Sequence, residues 1–249
     1  MVKEKFPWVR LIENKRNLGF AGGNNVGIRK ARGDYIFLLN NDIEVTKGWL
    51  TKLVDIGEKY PEVGIIGCKM LYPDGKLQHG GQVVNLLHIS ENITFYNKWR
   101  MKYDPDKEGE REAIVGAALL VRREVFRRIG LLDEKYSPIY REETDFCLRA
   151  RKAGFKIYYT PESVIIHHEG VTMKRVGWKF YAWRKNSLRF ILIHFPVKWL
   201  VFWLLFQMAW IGDALLRGEF LNLLRAYRDI LNELPEILEK RRKWCCFKG

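Results

Sequence analysis

Between Asp34 and Asp42 the chain reads DYIFLLNND: five consecutive apolar residues, Tyr35–Leu39, closed by two asparagines and an aspartate. An uninterrupted apolar run of this length suits a strand covered on both faces, the kind found in sheets flanked by helices. Outward from it the pattern alternates. Trp8–Ile12 reads as a short strand, followed by a turn rich in Gly and Asn and by a helix over residues 23–31. Downstream, Thr46 is placed to cap a helix that runs to Tyr60, with Pro61 as its stop. Val63–Met70, Ala113–Val121, Phe155–Tyr159 and Val164–His167 read as strands, and Arg141–Ala153 as a helix closed by Gly154. Interleaved strands and helices predict an α/β fold with a mostly parallel sheet. Ligands of such sheets sit beyond the carboxyl ends of the strands, which is where Asn40, Asn41 and Asp42 fall.

Composition narrows the function classes. With 47% hydrophobic and 29% charged residues, the 249-residue chain can build one sizeable core and is too polar for a polytopic membrane protein. Lysine and arginine number 43 against 29 acidic residues, a net charge of +14 that calls for an anionic partner. The charge is uneven: residues 171–249 carry 15 basic and 6 acidic residues, together with six of the nine tryptophans. The chain is therefore expected to divide into an α/β region, 1–170, and a helical, basic, Trp-rich region, 171–249. Four cysteines without a CxxC pair give neither a disulfide framework nor a zinc site, and the charged start MVKEKFPWVR is no signal peptide. A reducing compartment is expected.

Four clusters carry chemistry. NLGFAGGNN, residues 17–25, places glycines and asparagines between a strand and a helix, where backbone amides can approach an anion. Asn40-Asn41-Asp42 offers hard oxygen ligands suited to Mg²⁺ or Mn²⁺. Glu142-Glu143-Thr144-Asp145 puts three acids in one helical turn, whose mutual repulsion raises a pKa and suits a general base. His167-His168 ends the last apolar strand, where one imidazole can complete a metal site. Each cluster alone also has a bland reading: an Asx turn, a helix cap, an acidic first turn with an Asp145–Arg149 pair, a structural histidine.

Their order and spacing are more specific. NLGFAGGNN, DYIFLLNND, VGAALLVRREVFRRIGLLDE, EETDFCLRARKAGFKIYYTP and IIHHEG, in that sequence, resemble the family 2 glycosyltransferases of GT-A fold, most of all the rhamnosyltransferase-like branch that builds cell-surface polysaccharides. The resemblance spans residues 8–195. It implies an inverting transfer from a nucleotide-diphosphate sugar to a lipid-linked or cell-surface glycan acceptor. Asn40 and Asp42 match the family's D-x-D motif, Asn40 replacing the first Asp, which makes Asp42 the metal ligand and His167 its late partner. Asn17, Gly19 and Asn24 match the loop that meets the nucleotide-sugar, with Asn40 and Asn41 beside it. Glu143 matches the catalytic base, one methylene longer than the usual Asp, with Asp145 and Glu142 as alternatives. A divalent cation, Mg²⁺ or Mn²⁺, is the implied cofactor. The family's opening strand–helix–strand, ending in D-N-x-S-x-D, has no match here, so the domain is expected to be N-terminally shortened. The alternative function is a non-catalytic homologue serving as a membrane-attached binding or assembly module.

The tail has its own character. Residues 199–212, WLVFWLLFQMAWIG, would make a helix of about 21 Å, short of a hydrocarbon core of roughly 30 Å. It reads as an interfacial or re-entrant helix. Residues 219–243 place apolar side chains at i, i+3, i+4 spacing around Pro235 and end in Lys240-Arg241-Arg242-Lys243, which suits anionic headgroups. The expected location is the cytoplasmic face of the cell membrane. Nucleic acid is not an expected partner, because the charge tracks the tryptophans and no recognised nucleic-acid motif occurs.

Overall fold

The computed structural model describes residues 1–84, 91–92, 102–168 and 177–245, without the side chains of 91–92, 177, 199 and 201–206. Glu169 and Gly170 of the IIHHEG motif, Cys246 and the Trp199 and Trp203 side chains lie outside this description.

A first turn of helix, α1 (Val2–Lys5), precedes α2 (Gly19–Lys30), β1 (Tyr35–Leu39), β2 (Ile43–Val45) and α3 (Trp49–Lys59). Next come β3 (Val63–Leu71), β4 (Leu77–His79), β5 (Gln82–Val83), β6 (Glu91–Asn92) and β7 (Gly109–Glu110). Then β8 (Ala118–Arg122), α4 (Arg123–Ile129), a 3-10 turn (Glu134–Tyr136), α5 (Glu142–Lys152) and β9 (Lys156–His167) complete the sheet region. Three helices close the chain: α6 (Gly177–His194), α7 (Val197–Leu216) and α8 (Phe220–Trp244).

The main sheet runs β1-β8-β3-β9-β2. The α/β class stands, but the sheet is mixed. Strands β1, β3 and β9 share one direction, while β8 lies between β1 and β3 and runs against both. Only β3 and β9 therefore pair in parallel among the described strands. β8 leads directly into α4 through Arg122, and an apolar run does not encode its own direction.

Other elements differ from expectation for local reasons. Trp8–Ile12 is exposed and forms no strand, having no neighbour to pair with among the described residues. Thr46 caps nothing: its hydroxyl donates to the Val164 carbonyl at 2.6 Å, and α3 starts later behind the left-handed Gly48. The run at 113–121 is a strand only from Ala118: Ala113 makes an isolated bridge to Gln82, Ile114 packs in the core, and Val115–Ala117 line a cavity. The two C-terminal strand segments are one, β9, interrupted where Thr160 and Val164 oppose adjacent residues of β3.

The core crosses the 170/171 boundary. Leu188, Phe190 and Ile193 of α6 and Ala226, Ile230 and Ile237 of α8 pack in one apolar cluster with Ile65, Ile114 and Phe146. At that junction the fully buried Arg189 bonds to Asp133, Glu233 and Glu236 at 2.7–3.2 Å, clamping α6 and α8 to the loop before α5. Three acidic partners satisfy a guanidinium that would be costly to bury alone. Among the described residues no helix is long and apolar enough to cross a membrane.

Candidate active site

Two loops meet to form one wall. Asn17 Oδ1 accepts from the Gly19 amide at 2.8 Å, turning the chain into α2. Gly19 has φ +70°, and a Cβ there would sit 2.9 Å from the Pro138 carbonyl oxygen, so only glycine fits. The next amide, Phe20 N, donates to that same oxygen at 3.0 Å.

The second loop is bent harder. Tyr140 and Arg141 both adopt positive φ, 88° and 79°, to turn sharply into α5. Such a pair costs on the order of 1–3 kcal/mol per residue and persists only where neighbours hold it. α6 does so: Asn186 Nδ2 donates to the carbonyls of Tyr136 and Ile139, and Arg141 Nε reaches Ser187 Oγ at 3.4 Å. Asn186 and Ser187 are fully buried. The Asn186-Ser187 pair, within the helix that also carries Arg184, Lys185 and Arg189, has no distinct signature in the sequence.

The turn delivers Glu142 and Glu143 to the floor. Burial, with the Glu143 charge beside it, pushes the Glu142 carboxyl well above the ordinary carboxylate range; its Oε2 is buried without a hydrogen-bond partner. Burial also raises Glu143, held back by its own backbone amide, by the Arg141 charge and by a hydrogen bond from Gln82. Gln82 Oε1 in turn accepts from Thr144 Oγ1 at 3.2 Å, which orients its amide toward the carboxylate. Gly116 lets Glu143 and Phe20 approach: a Cβ there would lie 2.7 Å from the Phe20 ring and 3.2 Å from Glu143 Cβ.

Asp145 stands apart. It does not line the cavity; Oδ2 accepts from Arg149 Nε at 2.7 Å and Oδ1 faces His194 Nε2 at 2.8 Å. Burial pushes its carboxyl up, but Arg149 and His194 pull harder, and the net result lies well below the ordinary range. A carboxylate so held is a poor proton acceptor. Of the three acids, Asp145 is the one held in a buried ion pair away from the cavity.

A further part of the lining comes from the segment after β1 and from the end of β9. Asn40 N donates to the Ala117 carbonyl at 2.9 Å, and the β2–β9 register sets Ile43 against His167, bringing Asp42 to the end of β9 across 125 positions. His167 Nε2 lies 3.2 Å from Asp42 Oδ1, a buried oxygen that accepts no hydrogen bond. His168 is exposed and turned to Glu44 instead, 3.4 Å away. Two cis ligands of an octahedral cation with bonds of roughly 2.1 Å stand about 3 Å apart, so Asp42 and His167 fit one hard divalent ion. No group of three or more His, Cys, Asp or Glu residues gathers among the described residues. Such an ion would complete its shell with water and phosphate oxygens, as Mg²⁺ commonly does.

Asn17, Gly19, Asn40, Asn41, Asp42, Glu142, Glu143 and His167 thus line one cavity of about 810 Å³. Asn24 lies in an adjoining groove of about 480 Å³ between α2 and the outer edge of β1, with Gly19 and Phe20 shared by both. Sequence reasoning missed Gln82, Arg141, Trp178 and Trp183 of the cavity wall. Composition alone places these tryptophans with the Trp-rich tail.

Residues 1–130 match the family model described as Glycosyl transferase family 2. The chain belongs to that family. An O-antigen biosynthesis protein of Myxococcus xanthus is 32% identical over 160 residues, 61% of this chain and 12% of that protein. The N-acetylglucosaminyl-diphospho-decaprenol L-rhamnosyltransferase of Mycobacterium tuberculosis is 27% identical over 187 residues, 67% of this chain and 61% of that enzyme. The chain thus spans less than two thirds of the length of these curated relatives. A crystal structure of GalNAc-T7 with UDP, GalNAc and Mn²⁺ superposes with TM-score 0.59 at 18% identity, covering 79% of this chain and 38% of that one, and shows the GT-A fold. A rhamnosyltransferase and an O-antigen biosynthesis protein thus stand among the relatives, in keeping with the rhamnosyltransferase-like resemblance of the ordered motifs.

Proposed function

We propose that this family 2 chain transfers a glycosyl group, with inversion, from a nucleotide-diphosphate sugar to a lipid-linked or cell-surface glycan acceptor. One observation carries the reading. A single cavity is lined by a hard-cation pair, Asp42 and His167, by an elevated carboxylate pair, Glu142 and Glu143, and by Asn17, Gly19 and Phe20. A divalent ion bound there would neutralise charge on the leaving diphosphate. Asn17, Asn40 and Asn41 supply amides to the donor, and Asn24 borders it from the adjoining groove. Glu143, oriented by Gln82 and raised by burial, accepts the proton of the acceptor hydroxyl. Attack from the carboxylate side on a donor held from the cation side displaces the diphosphate in line, which inverts the anomeric centre. The relative of this chain that acts on a decaprenyl-diphosphate-linked sugar supports a lipid-linked acceptor.

The helical tail favours work at the cytoplasmic face of an anionic membrane, with peripheral attachment. Leu221, Leu224, Leu231 and Leu238 are exposed along the outside of α8, while Leu223, Ala226, Ile230 and Ile237 face the core. Half of the basic run is used internally. Lys240 pairs with Asp133 and Glu236, both at 2.7 Å, and Arg241 donates to the Leu192 and Phe195 carbonyls. Arg242 and Lys243 are exposed beside the leucines and are the two placed to meet headgroups.

Glu143→Gln keeps shape and removes the proton acceptor. Transfer should fall by ~10²–10⁴-fold with donor affinity nearly unchanged. Full transfer by Glu143→Gln, or an equal fall in donor affinity, would refute the role.

A further inference from the structure

β4 pairs with β3 as Met70↔His79 and Leu71↔Leu77, which leaves Gln78 as the extra residue of a β-bulge. A bulge re-aims the side chain it carries. Here it sends Gln78, only 6% exposed, toward His167, with Oε1 2.9 Å from Nδ1. With its carbonyl oxygen turned to the ring, Gln78 accepts from Nδ1–H, and in the neutral imidazole Nε2 then keeps its lone pair. That lone pair stands 3.2 Å from the buried, unpartnered Asp42 Oδ1. In that form two acceptors face each other, a repulsion that a cation against both, or a second ring proton on Nε2, would relieve.

We infer that Gln78 is a positioning residue of the cation site: by accepting from Nδ1 it holds His167 in the tautomer and ring orientation that present Nε2 to the ion. This rests on the proposal that Asp42 and His167 bind a divalent cation. The role belongs to the bulge as much as to the residue type, since a regular β4 would turn position 78 with the alternation of the strand. Metal-ligating histidines are commonly fixed this way, and losing the fixing partner costs roughly 10–100-fold in metal affinity.

The test uses the full chain without donor. Mn²⁺ affinity is measured by the electron paramagnetic resonance signal of the free ion, for wild type, Gln78→Leu, Gln78→Glu and His167→Ala. Tautomers are read without metal from two-bond ¹H–¹⁵N spectra of ¹⁵N-histidine protein, with His167→Ala assigning the signals. Wild-type His167 should show the Nδ1–H form. Gln78→Leu should lose that preference and bind Mn²⁺ ~10–100-fold more weakly, with an unchanged melt in chelator. Gln78→Glu, which still accepts from Nδ1, should restore both readouts. Wild-type affinity in Gln78→Leu, or a loss in Gln78→Glu as large as in Gln78→Leu, overturns the inference. If Gln78→Leu does not fold, the wild-type tautomer and Gln78→Glu decide it: an Nε2–H ring overturns it, as does a weakened Glu variant. A wild type that binds no Mn²⁺ while its His167 is in the Nδ1–H form overturns the cation proposal instead, and the inference with it.

Discussion

Asp145→Asn separates a structural acid from a catalytic one. The carboxylate sits between Arg149 and His194, at 2.7 and 2.8 Å, in a fully enclosed site. Removing its charge leaves a buried guanidinium facing a neutral amide, a change that costs ~3–5 kcal/mol when one partner of a buried pair is lost. Unfolding entropy of about 2.1 cal/mol/K per residue gives the 249-residue chain roughly 0.5 kcal/mol per degree, so Tm should fall by ~6–10 °C. Far-UV circular dichroism melts at neutral pH measure this. The pH dependence follows from the same pair. The folded-state carboxyl lies below its unfolded value, so its stabilisation is present above the ordinary carboxylate range and is lost as pH falls through the folded value. The gap between wild type and Asp145→Asn should close in acid. Transfer per folded molecule should survive. A variant that melts like wild type yet loses transfer would show that Asp145 is the base and that the reading of the acidic cluster is wrong.

Three further outcomes follow from the same geometry. Gly19→Ala forces a left-handed alanine against the Pro138 carbonyl oxygen, so urea denaturation should show a loss of ~2 kcal/mol or more; a loss under half that would mean the loop yields freely. Glu142 has a folded pKa above its unfolded one, so stability declines as pH rises past the ordinary carboxylate range; Glu142→Gln should raise Tm at neutral pH, with the gain fading toward about pH 4. Replacing Arg242 and Lys243 by Gln should weaken binding to anionic vesicles by roughly 30-fold, at ~1 kcal/mol per residue, and leave neutral vesicles unaffected; binding to neither vesicle type by the unaltered chain would remove the membrane from the account.

Much of the fold could be read because apolar periodicity encodes burial. YIFLL is a strand in the structure at the positions its run predicts, with NND at its carboxyl end, but it lies at the edge of the sheet with Leu39 exposed rather than covered on both faces. Periodicity does not encode strand direction, which is why β8 ran against expectation. The cavity was legible where a motif supplied both residue and neighbour: Asn17 with Gly19, Asp42 with a late histidine. It was not legible where partners come from afar. Glu143 and Asp145 are two positions apart, nearly opposite on a helix, and only α6, through His194, shows which face is core. Likewise the choice of His167 over His168 depends on the β2–β9 register, and the bulge at Gln78 has no sequence signature of its own. Tryptophans 178 and 183 looked like tail residues because composition was averaged over a segment whose first helix belongs to the core.

The central claim is that Asp42 and His167 create a cation-dependent site for a nucleotide-diphosphate sugar. Isothermal titration of the full chain with a panel of such donors, with Mn²⁺ and then with chelator, tests it directly alongside Asp42→Asn. The account predicts saturable binding of at least one donor that is abolished both by chelator and by Asp42→Asn, with the Tm of the variant preserved. Donor binding that persists unchanged in chelator and in Asp42→Asn would contradict it.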